Sequence, residues 1–157
     1  GAYVLASKDR KTVIRYVWLM YKFRIFQLQE SHWPIFNRLM DECEAPCRAW
    51  GKQFFLDDNV TLIAAENDRF IGFTVSSGLP NARHAYGRYL AVHPLWQKRG
   101  IGRRLHEARL RYYKERGFWV FVGFVEESQG MAKIFQRTGA RRGIDTTHGM
   151  SYVTELR

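Results

Sequence analysis

Residues 90–105 read Leu90-Ala91-Val92-His93-Pro94-Leu95-Trp96-Gln97-Lys98-Arg99-Gly100-Ile101-Gly102-Arg103-Arg104-Leu105, and this stretch decides the fold. A strand-like run ends at Pro94, whose ring removes a backbone donor. Helical spacing then begins at Ile101 and returns at Leu105, Ala108 and Tyr112, the apolar stripe of a helix laid on a core. Gly100 and Gly102 stand where that helix starts, among Lys98, Arg99 and Arg103. The first turn of a helix carries amides without partners and the positive end of a dipole, so it suits phosphate. Glycines let a phosphate reach the backbone with no Cβ in the way, and the cations add charge-assisted hydrogen bonds. The stretch is therefore a phosphate-binding strand, turn and helix. It is neither a Gly-x-x-x-x-Gly-Lys-Ser/Thr loop nor a Gly-x-Gly-x-x-Gly dinucleotide fingerprint.

Working outward, residues 21–29 alternate as a strand does, with Phe23, Ile25 and Leu28 set against Lys22, Arg24, Gln27 and Gln29. Ser31 can cap a helix that holds Pro34 in its first turn. Trp33, Phe36, Met40 and Cys43 form its apolar face, and Pro46 ends it. A second short helix is expected to about Phe54, then a loop at Asp57-Asp58-Asn59. Val60–Glu66 and Arg69–Ser76 read as strands joined at Asn67-Asp68. Residues 78–82 read as loop and 83–93 as a third strand. Beyond the helix Gly100–Arg116, stopped by Gly117, Phe118–Val125 is the most continuous apolar run, as in a strand covered on both faces. A short helix over 128–138 and a last strand over 147–156 complete an α/β domain with a mixed sheet flanked by helices.

Composition bounds the partners. The chain has 157 residues, 46% apolar and 25% charged, which fits one globular domain. No run of about eighteen apolar residues occurs, so neither a membrane helix nor a membrane partner is indicated. Lys8, Asp9, Arg10 and Lys11 interrupt any signal-peptide pattern. Cys43 and Cys47, with Pro46 between them, read as reduced thiols of a cytoplasmic protein, and no metal-ligand set surrounds them. The formal charge of +10 favours an anionic partner. Its density at 97–104 points to a phosphorylated ligand. Nucleic acid is not favoured, because it would need the cations to spread over an exposed face with aromatic stacking residues.

The string Gln97–Gly102 resembles the Gln/Arg-x-x-Gly-x-Gly/Ala motif of the GNAT superfamily of acetyl-CoA-dependent N-acetyltransferases. Leu90–Pro94 is similar to the strand before that motif, and Glu30–Ile35 to the family's first strand-to-helix junction. The resemblance covers residues 20–157 as an acyltransferase domain. It implies a GNAT-like central mixed sheet flanked by helices, with acetyl-CoA as co-substrate, no metal, and the cofactor at a splay after the third core strand. It implies that Leu90, Ala91 and Val92 pair with the pantetheine arm. Gln97, Lys98, Arg99, Gly100, Ile101, Gly102 and Arg103 would hold the pyrophosphate. Ser128 and Phe135 take the cofactor-facing positions where relatives carry Asn and Tyr. The implied activity is acetyl transfer to a primary amine by direct attack in a ternary complex. The same chemistry on a protein N-terminus, a lysine or aminoacyl-tRNA is an alternative, as is an inactive module that binds CoA or nucleic acid.

Two catalytic helpers of the family are missing. Phe135 has no proton to give a departing thiolate, and it reads equally well as core. On the third strand, alternation places His84, Tyr86, Arg88 and Leu90 on one face, with no carboxylate to take the amine proton. Tyr86 is the nearest positional match, although a phenol of ordinary pKa is a poor base at pH 7. Glu126 and Glu127 follow the central strand and are the other catalytic candidates. Asp41, Glu42 and Glu44 would suit a cationic acceptor, His93 reads as structural, and loops 44–59 and 77–84 carry no motif that names the acceptor. Residues 1–19 stand apart. They are a hairpin of Tyr3–Ala6 and Thr12–Leu19, sequence before an alternative start at Met20, or an appended segment. A native hairpin so apolar would need burial, and a two-fold interface is the expectation, hence a homodimer.

Overall fold

In the computed structural model, which describes residues 23–125 and 129–157, seven strands form one sheet. They are β1 (Phe23–Gln27), β2 (Val60–Glu66), β3 (Arg69–Leu79), β4 (His84–Val92), β5 (Val120–Val125), β6 (Arg141–Thr146) and β7 (Gly149–Glu155). Their order is β1-β2-β3-β4-β5-β7-β6. Every pairing is antiparallel except β4 with β5, so the sheet is mixed, as the sequence implies. The helices are α1 (Trp33–Glu42), α2 (Ile101–Glu115) and α3 (Gln129–Arg137). Residues 1–22, with the expected hairpin and dimer segment, lie outside the described residues.

The apolar face of α1 explains its place. Phe36, Leu39 and Met40 are buried against Phe73, Val75 and Ile63 of the sheet. Phe36 meets Phe73 and Phe55 edge-on at 5.0 and 5.1 Å, the arrangement that aromatic quadrupoles prefer. α2 and α3 cover the opposite face. Ile101 and Leu105 of α2 join Ala64 and Ile71, while Tyr113 of α2 and Phe135 of α3 join Phe121 and Tyr152. Each fully buried side chain of this size contributes roughly 1.5–3 kcal/mol.

Four expectations need correction. The buried stripe of α2 is Ile101, Leu105, His106, Arg109 and Tyr113, whereas Ala108 and Tyr112 are only half-buried. Residues 78 and 79 are strand rather than loop. Gly78 pairs with Ala85, and a Cβ there would lie 2.7 Å from the Phe118 ring, so this glycine marks a close approach. The single helix expected after Pro46 is a 3-10 turn (Pro46–Trp50) and a π turn (Phe54–Asp58), separated by Gly51 at φ +83°. Finally, β6 had not been expected at all. Five of its six residues are exposed, so it carries no apolar alternation. It forms by pairing with β7, with Gly143 lying against Ser151.

Candidate active site

β4 and β5 pair only over His84–Tyr86 with Val120–Val122. Beyond that point β4 stays with β3 to Val92, and β5 stays with β7 to Val125. The inner edges of both strands therefore face each other across a splay, without strand partners among the described residues. A β-bulge accompanies the divergence. Val75 pairs with Tyr89 and Ser76 with Gly87, which leaves Arg88 as the extra residue. Bulges bend a strand and increase its twist.

The bulge also resets the alternation, and here the sequence reading fails. Before it, Gly87 faces α2, since a Cβ there would lie 3.2 Å from the Arg109 guanidinium. After it, Leu90 and Val92 face α2, packed with Ile101 and Leu105. Tyr86 and Leu90 are thus on opposite faces of the sheet, not on one. Tyr89 falls on the α1 side, stacked on Phe73 at 5.7 Å and 20°.

The turn after β4 is held rigidly from outside. Gly100 is the residue before α2 and sits in the left-handed region at φ +79°, with no side-chain cap. The first helical hydrogen bond runs from Arg104 N–H to the Gly100 carbonyl, so the amides of Ile101, Gly102 and Arg103 have no capping side chain. Lys98 is also left-handed at φ +64°, which tightens the turn, and Gln97 Nε2 donates to the Val92 carbonyl at 3.1 Å. His93 Nδ1 accepts from Leu95 N–H at 3.1 Å, and its Nε2 lies 2.7 Å from Glu42 Oε2. His93 is therefore structural. Trp96 Nε1 donates to Glu66 Oε2 at 2.7 Å, and the Arg69 guanidinium lies 4.6 Å over the indole. Charge-assisted hydrogen bonds of this kind are worth about 1.5–3 kcal/mol. Trp96→Phe removes the donor, and thermal melts should then show the melting temperature falling by roughly 4–10 °C.

Between the diverging strands lies a cavity of about 70 Å³, lined by Gly87, Arg88, Tyr89, Leu90, Arg109, Gly123, Phe124, Met131 and Phe135. Phe135 is both core and wall. It stacks on Tyr152 at 5.3 Å and 6°, and its ring covers Gly123 where a Cβ would stand. Gly102 has a similar role on α2, for a Cβ there would meet Ile134 at 3.2 Å and Leu90 at 3.5 Å. This glycine brings α2 close to α3 and β4.

The thiols offer no chemistry here. Burial pushes Cys47 up to about 11, and burial together with Glu42 does the same to Cys43. Neither forms appreciable thiolate, the reactive species, at neutral pH. Burial also raises the Tyr89 phenol. Of the acidic candidates, Glu42 is engaged by His93 and Arg69 (3.6 Å), and Asp41 lies 4.0 Å from Arg48. Glu126, Glu127 and Ser128 lie outside the described residues. Among the described residues no group of His, Cys, Asp or Glu could hold a metal, and no helix is long and apolar enough to cross a membrane.

The structure thus brings Leu90, Gly102 and Phe135 to one place and sets Gln97–Gly100 beside it. It separates Tyr86 from that face. Sequence reasoning missed Arg109, although its spacing four residues from both Leu105 and Tyr113 was the available signal.

Residues 24–140 match the model of the acetyltransferase (GNAT) family. No curated protein matches the chain. Among solved structures, the ribosomal-protein-S18-alanine N-acetyltransferase from Escherichia coli has a TM-score of 0.71 at 17% identity, over 85% of this chain and 94% of that one. The PaiA N-acetyltransferase from Thermoplasma acidophilum, in complex with coenzyme A, gives 0.68 at 14%, over 85% and 98%. The yncA protein from Salmonella typhimurium, with acetyl-CoA, gives 0.64 at 16%, over 87% and 95%. At such identities the likeness concerns the fold.

Proposed function

Since this chain belongs to the acetyltransferase (GNAT) family, whose activity is acetyl-CoA-dependent N-acetylation, we propose that it moves the acetyl group to a small primary amine by direct attack in a ternary complex. One observation carries the reading: the β4–β5 splay opens beside an uncapped helix start whose residues fit a diphosphate. Gly100 has nothing within 4 Å of where its Cβ would stand, and Lys98, Arg99 and Arg103 are exposed there. The amides of residues 101–103, with the turn from Gln97, would hold the pyrophosphate. The inner edge of Leu90, Ala91 and Val92, which has no strand partner among the described residues, would take the pantetheine as an added strand does.

Acetyl-CoA supplies an activated acyl group. The residues position it, and a backbone N–H at the splay meets the negative charge that develops on the carbonyl oxygen. The amine lone pair forms the C–N bond, the C–S bond breaks with its electron pair on sulfur, and one proton leaves the nitrogen. Tyr86 lies on the face of β4 opposite Leu90 and does not line the splay cavity. A relay from it would run through water, so Tyr86→Phe should lower kcat by no more than ~10-fold. An unchanged rate across pH would make Tyr86 a wall only. Phe135 serves as the aromatic wall of the thioester end.

A small acceptor is favoured over a polyanionic macromolecule because several cations in and just after α2 are engaged locally. Arg103 pairs with Glu107 at 2.9 Å, Arg104 lies 4.4 Å over Phe23, and Arg116 donates to the Tyr112 carbonyl at 2.9 Å. The test is thiol release from acetyl-CoA against small amines, with peptide N-termini as a second arm. Amine-dependent release with intersecting initial-velocity lines is expected. Parallel lines with a trapped acetyl-enzyme would overturn direct attack, and release only with peptides would transfer the activity to proteins.

A further inference from the structure

Under the splay lies a buried guanidinium with no carboxylate beside it. Arg109 is 2% exposed. Its Nε donates to His106 Nδ1 at 2.9 Å, and one terminal nitrogen donates to Thr74 Oγ1 at 2.7 Å. Thr74 passes its own hydrogen to the Tyr89 carbonyl at 2.9 Å, so the cation also braces β4 next to the bulge. Because Nδ1 accepts, His106 is neutral. Burial and then the Arg109 charge push its pKa down to about 2. Burial lowers Arg109 to about 9, which leaves it protonated at neutral pH. Among the described residues, no Asp or Glu forms an ion pair with it. A desolvated charge paired only with neutral acceptors is unfavourable in the resting fold, and such a charge suits an anion that appears during a reaction.

The cavity says where that anion would form. Arg109 shares it with Tyr89, Leu90, Gly123, Phe124 and Phe135. The phenol among them, Tyr89, stacks on Phe73 on the α1 side and burial raises its pKa, and the others have no side-chain proton to donate. The other titratable groups nearby are His106 and Tyr113 on α2, and on β4 the exposed Arg88, which is tied to Ser77 at 3.1 Å. Tyr113 is spent on Ser76 at 2.9 Å, and burial raises its pKa.

We infer that Arg109 stabilises the departing sulfur as a thiolate, so that this chain uses a buried cation where an acid would otherwise protonate it. The inference rests on the acyl-transfer reading above. As the C–N bond forms, the C–S bond breaks with its pair on sulfur. The thiolate then lies beside the guanidinium, and the proton shed by nitrogen goes to solvent.

The experiment follows the thiol of bound CoA by the ultraviolet absorbance of its thiolate. A free thiol ionises near about 8.5, and apolar surroundings raise that value. In the wild-type complex it should ionise at least about one pH unit lower, and Arg109→Met should return it to the free value or above. Methionine fills a similar volume but leaves His106 Nδ1 without its donor, a cost of about 1–3 kcal/mol, so thermal melts accompany the measurement to show that the variant is folded. Arg109→Met should also lower kcat ~100-fold while the acetyl-CoA KM stays within about threefold. Arg109→Lys, which keeps the charge and loses the fork, should retain part of both effects. A wild-type complex whose bound thiol ionises no more readily than the free one overturns the proposal without any variant. So does a folded Arg109→Met protein that binds CoA with the wild-type thiol ionisation. Failure of the wild type to bind CoA would instead sink the acyl-transfer reading itself.

Discussion

Gly100→Asp should fold and lose about 100-fold in CoA affinity, whereas Gly100→Asn should keep most of it. The backbone at Gly100 is left-handed, at φ +79°, and Asn and Asp are the side-chain-bearing residues that tolerate this region best. Nothing lies within 4 Å of the position a Cβ would take, so neither variant meets a steric clash. Each should cost about 1 kcal/mol of stability for the backbone conformation alone. The two side chains have nearly the same shape, so the difference between them is charge. A carboxylate about 4 Å from a phosphate is opposed by ~4 kcal/mol at an effective dielectric constant of 20, and less at this exposed turn in salt. About 2.7 kcal/mol remaining corresponds to the expected 100-fold. Calorimetric titration with CoA, alongside thermal melts, measures both quantities. Equal affinities for the Asp and Asn variants would remove the pyrophosphate from this turn.

That prediction was within reach of the sequence because all of its chemistry lies in consecutive residues. Strand, proline, cations, glycines and apolar stripe follow one another from Leu90 to Leu105, and each acts locally. The sheet was legible for the same reason wherever a strand carried alternating or continuous apolar residues. It was not legible at β6, whose side chains remain in water and whose strand character comes only from β7. The bulge at Arg88 leaves no local mark, because whether a residue is extra depends on what the partner strand places opposite it. One uncounted residue moved Tyr86 and Leu90 to different faces and changed which side chains share the cavity. Arg109 was hidden by its own chemistry. Its spacing belongs to the buried stripe, but an arginine reads as solvated unless acceptors wait inside. His106 stands three residues before it on the same helix, whereas Thr74 lies 35 residues away on β3.

The other large effect is expected at Gly123, in the middle of the most apolar strand. Its burial is complete on the α3 side because the Phe135 ring rests where a Cβ would be. The ring has little freedom to retreat. It is stacked on Tyr152, meets His106 edge-on at 4.7 Å, and is 2% exposed. Gly123→Ala must therefore displace the ring or separate α3 from the sheet. Overpacking of this kind costs about 1–3 kcal/mol, and we expect the upper end because the obstacle is a ring wedged on both faces. For a chain of this size that corresponds to a fall in melting temperature of roughly 5–10 °C. Turnover should fall as well, since a displaced ring has the splay cavity as its nearest open space. Phe135→Leu supplies the control. Alone it should cost about 1–2 kcal/mol as a shortened core side chain. Combined with Gly123→Ala it should relieve the collision, so that the double variant loses at least about 1 kcal/mol less than the sum of the singles. Strict additivity would mean that Phe135 does not rest over Gly123 in solution, and the aromatic wall of the thioester end would have to be sought elsewhere on α3.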